Sequence, residues 1–511
     1  MHGGAGGQPR RRADSARSCG HRTVSAAHVC CCAMVVNRFP VLEPVTPDGL
    51  DTIERGWMRI VSDLGIRFDH PEALRLFTEA GQTVEGDIVR FDPAWVLEMI
   101  AKAPSEFTLH ARNPARDMRF GGNHMVFMPV QGPPFVRRGM ERRDGTLHDF
   151  EDFCRLAQAI DEYDSPGSLP VEPNDIPLDS RHLDEIRALL TLTDKPFGAN
   201  AVSVDAVNDA LAAARIVFGD RVDREACTYT NINVNSPLVY DERMLDALLI
   251  YARAGQPVLV VPFLLMGAMA PASVPAALAQ QFAEALTGIA LMQLVRPGCP
   301  AVLGSFLSTT DLKNGSPAFG GPESHFGLLA SGQMARRYGL PWRAGGGSLT
   351  TSPLPDAQAA WEGMNTMQAS FLAGANLHMH CGGWLEGGLV ASFEKLIMDL
   401  DMLQTLIKEF TPIDIDEESL AFGAHDEVRH GGHFLGAAHT MERFRDCFHR
   451  PLLATTDNYQ RWSKDGGLDA AARATGIYQQ LLADYEQPAM DEAMRAELDE
   501  LVTRRRAELG D

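Results

Sequence analysis

Thr228-Tyr229-Thr230-Asn231-Ile232-Asn233-Val234-Asn235 and Val258-Leu259-Val260-Val261-Pro262-Phe263-Leu264 bracket a helical pattern at residues 241–254. Two short β-prone runs joined by one helix-length segment predict a β–α–β unit, with parallel strands and a right-handed crossover. Working outward, the unit repeats. Strands are predicted at 125–130, 168–172, 197–202, 228–235, 258–264, 301–306, 342–346 and 377–382. Helices are predicted at 149–161, 180–192, 205–218, 241–254, 274–294, 322–338, 356–373 and 392–410. This strict alternation over residues 121–410 predicts an α/β chain built on a (β/α)8 TIM barrel, in preference to an open doubly wound sheet.

The flanks read differently. In residues 34–120, Ile53, Trp57, Ile60, Val61 and Leu64 recur at helical spacing, and 71–80 and 93–101 give two further helices. With a small β-element near 88–91, this is an N-terminal helical cap. Residues 411–511 form a mainly helical C-terminal extension, with helices at 469–485 and 490–509 expected to wrap the barrel or a partner subunit. Residues 1–33 are rich in Gly, Arg, Ser and Ala and lack the long apolar core of a secretory signal. They are expected to be a disordered leader or a mis-called start.

Composition bounds the function. Among 511 residues, 46 Lys+Arg stand against 67 Asp+Glu, a net charge of −21. That balance argues against nucleic acid and anionic membrane surfaces, whose binding rests on cationic side chains. The longest uncharged stretch, 254–283, contains Pro257, Pro262, Pro271 and Pro275, a poor membrane-spanning helix. Cys19, Cys30, Cys31 and Cys32 crowd the leader and the other five cysteines are scattered singly, which points to a reducing, cytoplasmic setting. The Cys30–Cys32 run lacks the second spaced pair of a zinc site.

Barrel enzymes place reactive groups at the C-terminal ends of the strands, which reduces the chain to a short set. Asn231, Asn233 and Asn235 share one strand face. They form either a polar barrel layer satisfied by neighbours or a neutral surface of donors and acceptors for a ligand. His378-Met379-His380 places two imidazoles on one strand face, where they would ligate a metal, hydrogen-bond a substrate or be satisfied internally. Further His, Lys and Asp ligands at the other strand ends are not evident, so no tightly bound metal is expected. Gly345-Gly346-Gly347 lies in a Gly-rich run that lacks the Walker lysine and the spaced Rossmann glycines; it would let a ligand approach the backbone. Phe263 and Met266 follow the fifth strand, and Trp384 and Glu386 follow the eighth.

A resemblance then emerges from motifs held in order. Gly304-Ser305, Gly320-Gly321-Pro322-Glu323, Pro355-Asp356-Ala357-Gln358-Ala359-Ala360-Trp361-Glu362, Leu372-Ala373-Gly374-Ala375-Asn376 and Gly382-Gly383-Trp384-Leu385-Glu386-Gly387-Gly388 resemble the trimethylamine:corrinoid methyltransferase superfamily. Ala111-Arg112-Asn113-Pro114, Gly432-His433-Phe434-Leu435-Gly436 and His439-Thr440 extend the likeness to both flanks, covering about residues 40–485. The resemblance implies a barrel that hands a methyl group from an amine to the cobalt of a corrinoid (cobalamin) on a separate carrier protein. Founding members use pyrrolysine to activate trimethylamine. This sequence has only standard residues, so it looks like the non-pyrrolysine branch, which demethylates quaternary amines such as glycine betaine.

That branch suits the chemistry, because a quaternary ammonium already carries a neutral amine as its leaving group. The protein needs alignment, worth roughly 7–11 kcal/mol, more than a reactive side chain. Neutral amides, Met sulfur and aromatic rings would hold the cation without favouring the ground state over the transition state. The expected substrate-binding set is Asn231, Asn233, Phe263, Met266, Gly345, Gly346, Gly347, His378, His380, Trp384 and Glu386, with no catalytic side chain. Within it, His378, His380 or the glycine amides would serve a substrate carboxylate. The expected partners are a small quaternary amine, the corrinoid carrier and further copies of the chain in a homo-oligomer. A metal-dependent barrel hydrolase using His378 and His380, and a non-catalytic betaine-binding protein, are the competing readings.

Overall fold

A computed structural model describes residues 34–510 of the chain; the expectations for residues 1–33 lie outside the described residues. The barrel is a ring of short parallel strands, β1 (His124–Phe127), β2 (Gly198–Ala199), β3 (Tyr229–Val234), β4 (Val258–Pro262), β5 (Ala301–Gly304), β6 (Trp342–Ala344) and β7 (Leu377–His378). Neighbours from β2 through β7 pair in sequence order, and β7 returns to β1 through Leu377 opposite Val126.

The gap between β1 and β2 is filled by residues 164–167. There the Asp164 N–H donates to the Phe127 carbonyl at 2.9 Å, and Gly167 bridges Phe197 in parallel. The ring therefore closes at the eighth position, but with a segment that starts four residues earlier than expected and without a regular strand. The strand predicted at 168–172 does not form. Pro166, Pro170 and Pro173 lack the N–H donors a ladder needs. Side chains take over: Asp164 Oδ2 accepts from the Phe127 N–H at 2.7 Å, and Gln131 Oε1 accepts from Ser168 and Leu169 at 2.9 Å each.

Eight helices surround the ring: α1 (Leu147–Ala159), α2 (Arg181–Leu192), α3 (Val204–Phe218), α4 (Glu242–Ala254), α5 (Val274–Val295), α6 (Pro322–Tyr338), α7 (Ala357–Leu372) and α8 (Phe393–Glu409). Their starts follow from side-chain caps. Thr146, Ser203, Asp241, Asp356 and Ser392 each accept from a backbone N–H in the first turn, satisfying a donor the helix leaves orphaned. α5 is buried along nearly its whole length because the N-terminal segment covers its outer face. Helices Pro47–Arg59 and Pro93–Ile100 pack there, and Trp57 Nε1 donates to Tyr338 Oη of α6 at 2.7 Å. The small β-element materialises as Thr83–Glu85 and Ile88–Arg90 beside Ile66–Phe68.

Loops at the C-terminal end of the ring build walls. The hairpin Phe135–Arg138 and Glu141–Asp144, from the connection after β1, pairs with Val390–Ser392 from the connection after β7. Leu264–Met266 pairs with Leu307–Thr310, extending the walls above β4 and β5. At the far end of the chain, Ala470–Ala483 packs on α8 and α1, and Glu492–Leu509 lies along α2 and α3. Arg505 bonds Asp205 and Asp209 at 2.7 Å each, and Arg187 bonds Asp499 at 2.6 Å. Between α8 and Ala470, Ile413, Ile415, Leu435 and Phe448 are all more than three-quarters exposed. Among the described residues no helix is long and apolar enough to cross a membrane.

Candidate active site

Strand periodicity sets the interior. Tyr229 on β3 points into the ring, where its hydroxyl meets Met128 Sδ at 3.3 Å and fills the floor. Asn231 and Asn233 follow on the same face. The Asn231 amide donates to Asn233 Oδ1 at 3.3 Å while its own carbonyl oxygen is buried without a protein partner among the described residues. Asn235, the third of the run, donates to Asp241 Oδ2 at the cap of α4. A concavity of about 440 Å³ opens beside them, lined by Asn233, Val234, Asn235, Ser236, Phe263 and Met269.

Across this mouth stands an aromatic cluster. Phe263 lies 4.6 Å from Phe306 between ring centroids, Phe306 is 5.8 Å from Phe319, and Phe319 is 5.0 Å edge-on to Trp384. Trp384 also stacks on His380 at 5.2 Å. Its indole N–H is buried without a protein partner among the described residues. Of these rings Phe263, His380 and Trp384 were expected at the site. Phe306 and Phe319 were not singled out, because nothing local distinguishes a pocket phenylalanine from a core one. Met266 is buried in the wall strand opposite Thr309.

The two histidines part company. The strand ends at His378, and the chain turns through Met379 to His380, which adopts a φ of +66°. The period-two rule lapses there, so the expected shared face is not found. His378 lies between Phe127 and Phe371 of α7, at 5.0 and 4.8 Å, in the layer between ring and helices. Burial pushes its imidazole down to about 3, and Nε2 faces the Ala375 carbonyl at 3.1 Å. His380 turns into the mouth. The pair cannot chelate one ion, and among the described residues no group of three or more His, Cys, Asp or Glu is placed to hold a metal. The hydrolase reading thus loses its ligand set.

The glycine run is also spent on packing. A Cβ at Gly345 would lie 2.6 Å from the Ser305 carbonyl oxygen, one at Gly346 would lie 2.2 Å from Ser370 Oγ, and one at Gly347 would lie 2.2 Å from the Met379 oxygen. These glycines bring β6 against β5, α7 and the His380 turn, leaving on those sides no room for the ligand cradle expected from the sequence. Glu386 faces Arg137 at 3.3 Å and Arg142 at 2.9 Å, which neutralise it.

Arg343 stands two residues before the glycine run and is absent from the expected set. On β6 its neighbours Trp342 and Ala344 turn outward, Trp342 packing against Gly332 of α6, so Arg343 points inward and is 3% exposed. Its Nη1 donates to the Ser305 carbonyl at 3.0 Å, and Nη2 lies 3.2 Å from both His380 Nε2 and Met379 Sδ. A guanidinium only donates, so His380 Nε2 accepts and the ring proton sits on Nδ1. Burial, then the Arg343 charge, holds His380 well below the ordinary imidazole range and neutral. The available signal was a charged residue on the inward face of a buried parallel strand, which is rare unless paired.

At the ends of the second and third strand positions a carboxylate is kept neutral. Glu185 of α2 is buried, with Asn200 Nδ2 at 3.5 Å and Arg181 Nε at 3.7 Å, and desolvation pushes its carboxyl up to about 8. From about pH 4.5 to 8 the unfolded chain gives up this proton and the folded chain keeps it. Stability therefore falls as pH rises through that window, by at most about 1.4 kcal/mol per pH unit. Glu185→Gln is expected to raise the melting temperature more at pH 8.5 than at pH 5; thermal melts across that range check it, and an equal shift at both pH values would contradict it.

Comparison with known proteins follows the same lines. The profile of the trimethylamine methyltransferase (MTTB) family matches residues 8–510. The chain belongs to that family. Its relatives include a glycine betaine methyltransferase of Desulfitobacterium hafniense (strain Y51), 38% identical over 476 residues, 93% of this chain and 99% of that one. A proline betaine:corrinoid methyltransferase of Eubacterium limosum is 28% identical over 396 residues, 75% of this chain and 81% of that one. Among solved structures, the monomethylamine methyltransferase of Methanosarcina barkeri superposes with a TM-score of 0.51 at 11% identity, covering 90% of this chain and 89% of that one. That likeness concerns the fold alone and agrees with the trimethylamine methyltransferase family barrel described above.

Proposed function

We propose that this protein transfers a methyl group from a quaternary amine of the glycine betaine type to the cobalt of a reduced corrinoid held by a separate carrier protein. The observation that carries the reading is the aromatic cluster of Phe263, Phe306, Phe319 and Trp384 at the barrel mouth, where the acid of the same loop, Glu386, is already neutralised. Aromatic faces attract a quaternary ammonium by roughly 0.5–2 kcal/mol each. They do so without a full anion, which would favour the charged ground state over a transition state in which that charge fades.

In the transfer the carbon–nitrogen bond breaks with its electron pair staying on nitrogen, releasing a neutral tertiary amine. The methyl carbon bonds to the nucleophilic cobalt, which is the second substrate. No proton moves, so no general acid or base is required, and the chain contributes orientation and exclusion of water. Asn231 and Asn233 face the same mouth and supply neutral polar contacts. Cytoplasmic location and a homo-oligomeric state belong to this proposal, supported by the free buried thiols of Cys154, Cys227, Cys299 and Cys381 and by the exposed apolar side chains between residues 413 and 448.

The test mixes the protein and cob(I)alamin with a panel of methylated amines and watches for methylcobalamin. Transfer from glycine betaine or another quaternary amine is expected. Turnover with trimethylamine alone would overturn the branch, and tight betaine binding with no transfer would favour a binding protein.

A further inference from the structure

We propose that Arg343, His380 and Trp384 form an anion subsite that holds the carboxylate of a zwitterionic donor, with its ammonium against Phe263, Phe306 and Phe319. The argument starts from charge. Among the described residues no carboxylate pairs with Arg343, although the side chain is almost fully enclosed. Buried charges are normally paired, because an isolated ion in a low-dielectric interior is strongly disfavoured, and a guanidinium does not escape by losing its proton.

The hydrogen-bond inventory points the same way. Arg343 Nε, His380 Nδ1 and Trp384 Nε1 are buried and have no protein partner among the described residues. With the His380 tautomer fixed by Arg343, all three are donors. Native interiors seldom leave even one donor orphaned, and here three belong to one contiguous cluster linked by the 3.2 Å Arg343–His380 contact and the 5.2 Å His380–Trp384 stack. A group with acceptors only and a negative charge satisfies them together. Arg343 Nε would give a carboxylate oxygen a charge-assisted hydrogen bond.

The layout orients the donor. Arg343 lies within β6, whereas Phe263 and Phe306 follow the ends of β4 and β5. The guanidinium attracts the carboxylate inward and repels the ammonium, which is left among the rings nearer the mouth with its methyl groups toward the acceptor. A quaternary amine lacking a carboxylate, such as choline, would leave Arg343 unpaired in a closed site. This assignment rests on the proposed reaction for its methyl acceptor, but binding alone tests the subsite.

Calorimetry of the full chain with glycine betaine and with choline supplies the test. The unaltered protein is expected to prefer glycine betaine. Arg343→Met is expected to cost about 100-fold in glycine betaine affinity, the loss of a charge-assisted pair, with little change for choline. Because it removes an unpaired buried charge, the variant is expected to melt no lower than the parent. Trp384→Phe keeps a ring and deletes the N–H, so it should weaken glycine betaine binding selectively. It also serves if Arg343→Met does not fold. Equal losses for both ligands, unchanged affinity in both variants, or no glycine betaine binding by the parent would overturn the subsite. Arg343-dependent binding without methyl transfer would instead overturn the reaction and leave the subsite standing.

Discussion

Trp384→Ala is expected to lower kcat/KM for methyl transfer by at least about 100-fold, through lost cation–π attraction and lost alignment together. Its indole touches Phe306, Phe319 and His380 and fills the space above Gly388, where an added Cβ would lie 2.2 Å from the ring. Truncation removes one wall of the cage and frees the His380 ring. A large-to-small change at a side chain this buried also costs about 3–5 kcal/mol of stability. Steady-state kinetics below the variant's melting point separates the two effects. Transfer within a few-fold of the parent would show that the donor lies elsewhere.

Lys395→Met is expected to be strongly destabilising. Lys395 and Asp399, one turn apart on α8, form an ion pair with side chains 0% and 3% exposed. Asp399 Oδ2 also accepts from the Gly383 N–H at 2.9 Å, and Lys395 reaches the Ser348 carbonyl at 3.4 Å, so the pair ties together the two loops flanking the mouth. Removing one partner strands the other, at about 3–5 kcal/mol. Burial already pushes Asp399 up to about 6 despite the lysine. Without Lys395 its folded value rises further, so this part of the loss is fully present above the raised value and shrinks as pH falls to about 6, the parent's own folded value. Denaturant titrations at pH 5 and pH 8 should show the smaller loss at pH 5. Lys395→Met with Asp399→Asn should recover most of it, since the amide oxygen still accepts from Gly383.

What the sequence disclosed depended on the range of the interaction. Strand–helix alternation is local, and every barrel helix lies within about two residues of where its period placed it. The second strand position slipped because proline density broke the ladder, and Gln131, 37 residues before Ser168, repaired it together with Asp164 of the segment itself. His380 was located but its partner was misjudged, since one left-handed residue reversed the alternation. Gly345, Gly346 and Gly347 were visible as glycines, whereas what fills the missing side-chain space depends on β5 and α7. Arg343 stood in plain view; that no acid approaches it is a property of the assembled ring.

The wall shared by residues 135–144 and 384–392 carries one last implication. Its two halves leave the ribosome far apart in time, so the nascent protein has no competent pocket until residue 392 of its 511 has been translated. Ligand affinity belongs only to the finished circle, and heat resistance gained on adding donor would report how completely that circle has shut.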